Sequence, residues 1–80
     1  MINSIDHIVL TVKDINKTID FYCNLLGMKY EEFRINNNSE VRKCLKFGTQ
    51  KINLHAYDNI IKPGAKIPEP GTGDICFISD

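Results

Sequence analysis

Between residues 5 and 13 the chain reads IDHIVLTVK, an apolar, β-branched stretch interrupted by one histidine. Strand side chains alternate between faces, so Ile8, Leu10 and Val12 share one side and His7, Val9 and Thr11 the other. The first set is wholly apolar and predicts a face covered by a helix. Asp14 follows as a helix N-cap, and Ile15, Ile19, Tyr22 and Leu26 then recur at helical spacing, with Phe21 and Leu25 widening the stripe. Lys17, Asp20 and Asn24 fall on the wet side, and Gly27 stops the helix, which the pattern places at about residues 14–26. Phe21 and Tyr22 are read as core.

Three further alternating stretches follow: 28–35, 41–47 and 50–57, separated by the polar cluster Asn36, Asn37, Asn38 and Ser39 and by Gly48–Thr49. In the last of them Ile52, Leu54 and Ala56 face one way and Asn53, His55 and Tyr57 the other. Strand, helix and a three-strand meander make an α+β unit with a mixed sheet, and a right-handed crossover returns the fourth strand beside the first. His7 and His55 are then expected as neighbours on the face away from the helix, where two imidazoles are a better metal candidate than either alone. From Asp58 to Gly73 prolines and glycines break the pattern and predict a linker. Residues 74–78, DICFI, predict a further strand, apolar on both faces.

Eighty residues allow one small domain with a marginal core. Ten basic and ten acidic side chains cancel without runs of either sign, which gives no electrostatic footprint for nucleic acid. No apolar run is long enough to span a bilayer, and no signal-peptide pattern is present. Cys23, Cys44 and Cys76 form no CxxC pair and read as reduced thiols of a cytoplasmic protein.

The stretches DHIVLTV at 6–12, FYCNLLGM at 21–28, CLKFGTQKINLH at 44–55 and GDICFIS at 73–79 resemble the vicinal oxygen chelate superfamily. That superfamily holds glyoxalase I, bleomycin- and fosfomycin-resistance proteins and extradiol dioxygenases; the likeness is greatest to the glyoxalase-domain-containing, lactoylglutathione lyase-like branch. The resemblance divides the chain into a βαβββ module at 1–57, an inter-module linker at 58–73 and the first strand of an incomplete second module at 74–80. It implies a cupped sheet completed by a second module or by a homodimer partner, around one divalent metal (Zn, Ni, Co, Mn or Fe). His7, His55 and Asp74 would be the metal ligands, and the glutamate that moves the proton would lie beyond Asp80. Asp74 stands where many relatives have histidine, which argues against the dioxygenase branch.

Three functions follow from that resemblance. The first is part of a metal-dependent, glyoxalase-like lyase acting on a small oxygen-chelating substrate, such as the hemithioacetal adduct of a thiol. The second is a non-catalytic binder of small molecules or drugs, of the bleomycin-resistance type. The third is an inactive truncated module. A chain with an open cup and an unpaired apolar strand is not expected to be a stable, active monomer.

Overall fold

A computed structural model of the chain describes residues 1–34, 40–59, 61 and 64–80. The alternating stretch at the start forms β1 (His7–Val12), followed by α1 (Ile15–Asp20) and a π-helical turn at Phe21–Leu25. Strands β2 (Lys29–Phe33), β3 (Arg42–Phe47) and β4 (Gln50–Ala56) complete one four-stranded sheet in the order β1-β4-β3-β2. Strand β4 runs parallel to β1 and antiparallel to β3, and β2 is antiparallel to β3. The fold is therefore α+β with a mixed sheet, as the patterning predicts. The polar cluster at 36–39 and the end of the second alternating stretch lie outside the described residues.

Asp14 begins the helix as expected. Its Oδ1 accepts from the Lys17 N–H at 3.0 Å, and its carbonyl accepts from the Thr18 N–H and hydroxyl at 3.0 and 2.8 Å. At the other end Gly27 adopts φ +77°, a conformation that a Cβ would strain, and this turns the Met28 N–H back to the Tyr22 carbonyl at 3.0 Å. The helical segment thus runs over 15–25, close to its expected span.

One side of the sheet is the core. Ile8, Leu10 and Val12 lie beside Ile52, Leu54 and Ala56, and Leu45 stands opposite Ile52. Val12, Met28, Leu45, Ile52 and Leu54 are buried, with Ile8, Leu10, Ile15, Ile19, Tyr22 and Cys23 packed around them. Val9, on the other face, is 40% exposed, so the assignment of faces holds, although Ile8 and Leu10 are only half-buried.

The helix departs from expectation at its end. Phe21, Leu25 and Leu26 are exposed, and Cys23 takes their place against the core. The cause is the π turn: the Leu26 N–H bonds to the Phe21 carbonyl five residues back, which widens the turn and rotates Phe21 and Leu25 off the apolar stripe.

Residues 74–80 form no strand in this chain, where the segment has no ladder partner. It lies instead over the helix-covered side. A Cβ at Gly73 would stand 2.7 Å from Leu10 Cδ1, Ile75 packs on the core, and the Phe77 ring meets Tyr22 and Phe47 edge-on at 6.4 and 5.6 Å.

Candidate functional site

The face away from the helix carries polar residues from all four strands, and the register sorts them into rows. His7 on β1 stands beside Lys51 on β4, Lys46 on β3 and Lys29 on β2. The next row is Val9, Asn53, Cys44 and Glu31. In the third, Thr11 stands beside His55 on one side of the sheet, and Arg42 beside Phe33 on the other.

His7 is at the edge, its side chain 41% exposed. Its Nδ1 lies 2.9 Å from Asp6 Oδ2. A carboxylate only accepts, so this contact places the proton on Nδ1 and leaves the Nε2 lone pair free for a ligand. The same hydrogen bond, foremost, holds the Asp6 carboxyl below its usual range. Two residues along β4 from Lys51, Asn53 has a buried Oδ1 with no hydrogen-bond partner. Cys44, beside it, is buried, and its thiol is pushed up chiefly by desolvation, which disfavours the nucleophilic thiolate.

His55 is different in kind. It is buried, and Gly64 lies against its ring: a Cβ there would stand 3.9 Å from both His55 Cε1 and Nδ1. Burial, with the charge of Arg42 second, lowers its pKa, so the imidazole is held neutral.

The three residues that the resemblance implied as ligands are therefore not brought together by this chain. His7 and His55 share a face but not a row: His7 pairs with Lys51 and His55 with Thr11, four residues further along β1. Sequence alternation shows the face and is silent on the height. Asp74 is exposed, and its neighbours Gly73 and Ile75 rest on the helix-covered side, opposite His7. Among the described residues no group of three or more His, Cys, Asp and Glu is placed to hold a metal ion. The residues present thus fit a metal at one corner, the His7 imidazole. What the sequence reading missed was the lysine row, visible only once Lys29, Lys46 and Lys51 are placed in register. Among the described residues no helix is long and apolar enough to cross a membrane.

The family model for the Glyoxalase/Bleomycin resistance protein/Dioxygenase superfamily matches residues 4–77. The chain belongs to this superfamily. Its relatives include the glyoxalase domain-containing protein RDO1 of Mycosarcoma maydis, 46% identical over 96% of this chain and 40% of that protein. The virulence protein STM3117 of Salmonella typhimurium is 48% identical over 99% of this chain and 51% of its own length. The chain thus spans about half or less of the curated relatives it matches. Among solved structures, an integron cassette protein from the mobile metagenome of V. cholerae superposes with a TM-score of 0.88 at 45% identity, covering 100% of this chain and 59% of that one. The crystal structure of STM3117 gives a TM-score of 0.82 at 47% identity, with 99% of this chain and 59% of that one covered.

Proposed function

We propose that this chain is one module of a divalent-metal-dependent, glyoxalase-like enzyme, with His7 as its metal ligand and a second module or a second copy completing the cup. The observation that carries the reading is His7 itself: a partly exposed imidazole on the open face, with Nδ1 engaged by Asp6 and the Nε2 lone pair left for a ligand. The partial overlap with longer relatives supports a site shared with further polypeptide. A bound ion, held by His7 and by donors of the completing module, would supply Lewis acidity towards an oxygen-chelating substrate of the hemithioacetal type.

Within this module, Asp6 fixes the tautomer of His7, and the sheet behind it, from Val9 to Cys44, excludes water from one side of the cup. The proton-moving carboxylate belongs to the completing module in this scheme. His55, four residues away along the strand and covered at Gly64, and Asp74, on the far side, are left out of the donor set.

Elemental analysis of the natural full-length polypeptide, beside its isomerisation of the methylglyoxal–glutathione hemithioacetal, tests the proposal. One divalent ion per site, lost in His7→Ala together with activity, is the expected result. Full metal content in His7→Ala overturns it. Ligand binding without metal or turnover would instead favour the drug-sequestering reading, to which the lack of a three-donor group among the described residues lends weight.

A further inference from the structure

The chain as a whole is neutral, yet the open face is not. Lys29 stands directly opposite Lys46, and Lys46 directly opposite Lys51, so three ammonium-bearing side chains line one row across three strands. Like charges directly opposite on adjacent strands oppose sheet formation. Two carboxylates offset part of this: Glu31 reaches Lys46 at 3.4 Å, and Asp6 meets His7 at the end of the row at 2.9 Å. Lys51 is carried inward over the Phe33 ring, 4.7 Å from its centroid, which takes its ammonium across the row of Asn53 and Cys44. Arg42, half-buried one row further, adds a fourth cation. Four basic groups against two acids is still a local excess that the sequence total conceals.

The row also has a direction, because it ends at His7. We propose that the lysine row is the receptor for the anionic end, a carboxylate or phosphate, of a small ligand whose other end reaches His7. The proposal rests on the reading of His7 given above. An anion there relieves the repulsion built into the sheet, and the unpartnered Asn53 Oδ1 in the next row accepts from a hydroxyl of the same molecule. The favoured ligand is thus a hydroxy acid or a hydroxyl-bearing phosphate ester, and a neutral isostere is disfavoured.

The test uses the natural full-length polypeptide stripped of metal, so that anion binding is read apart from the His7 donor. Lactate, glycerol 3-phosphate and neutral lactamide are titrated by NMR chemical shift. At least one anion should bind about tenfold or more tightly than lactamide, the worth of one charge-assisted hydrogen bond. Which anion wins separates carboxylate from phosphate. Lys51→Gln and Lys46→Gln should each weaken that binding, Lys51→Arg and Lys46→Arg should keep it, and Lys17→Gln on the helix should leave it unchanged. Lys46→Gln should also not lower the melting temperature without ligand, which a purely structural lysine would do. Equal binding of lactamide, no saturable shift with either anion, or unaltered binding in both glutamine variants overturns the proposal. Failure of the polypeptide to take up metal would overturn the reading of His7, whereas the titration, run without metal, decides the lysine row separately.

Discussion

His7 and His55 point to the same side of the sheet and are four residues apart along β1, His7 opposite Lys51 and His55 opposite Thr11. At roughly 3.3 Å per residue their backbones differ in height by about 13 Å, too far for two rings to meet on one ion at about 2.0–2.1 Å. The two histidines are therefore not placed to share one ion. His7→Ala should empty the metal site measured by elemental analysis, whereas His55→Gln should retain the ion. Equal loss in both variants would show that the histidines act together after all.

His55 should instead appear in the pH dependence of stability. Its burial, and then the charge of Arg42, depress its pKa in the fold below the value of about 6.5 expected when unfolded. The unfolded chain then binds more protons between those two values, so its contribution is full above about pH 6.5 and is lost as pH falls through the folded pKa. Denaturant melts from pH 8 to 5 should show stability falling on the acid side, with a smaller fall in His55→Gln. Proton NMR of Arg42→Gln should show the His55 pKa rising towards normal. An unmoved pKa there would remove Arg42 from the account.

The difference between what was legible and what was not follows from the kind of information each feature needs. Ile8, Leu10 and Val12 at period two, and Ile15, Ile19 and Tyr22 at helical spacing, carry the element types and the covered face, because burial acts on each side chain separately. The height of His55 against His7 depends on how β4 slides along β1, which no single strand encodes. Phe21 and Leu25 fit the helical stripe on paper and lose it to one widened turn. The 74–78 segment has strand-like residues, yet a strand needs a partner, and here Ile75 packs half-buried on the helix side while the exposed Phe77 ring leans on Tyr22.

Asp6 offers a test of His7 that leaves the imidazole in place. Asp6→Asn keeps the shape and removes the charge that fixes the Nδ1–H tautomer. Partners of metal-bound histidines typically contribute about 10–100-fold to metal affinity. Competition with a chromogenic chelator should place Asp6→Asn in that range, with a normal melting temperature because Asp6 is fully exposed. Unchanged affinity would mean that the 2.9 Å contact is incidental to the ligand role.

Phe77 distinguishes a segment that belongs to this core from one merely resting on it. Its ring meets Phe47 and Tyr22 edge-on at 5.6 and 6.4 Å, and aromatic pairs of this kind contribute about 0.5–1.5 kcal/mol each beyond area burial. Ile78 next to it is almost fully exposed and makes a matched control. In residues 1–80, Phe77→Ala should lower the unfolding free energy by about 1–2 kcal/mol, and Ile78→Ala by less than about 0.5 kcal/mol. If instead the 74–78 segment is drawn away to open a second sheet, Phe77 leaves Tyr22 and Phe47. In a longer polypeptide, Phe77→Ala should then leave the Tyr22 and Phe47 ring resonances unshifted, whereas in residues 1–80 it should shift both. Ring shifts of equal size in the two proteins would place the segment on the helix side in both, and would count against its role as the opening strand of a second module.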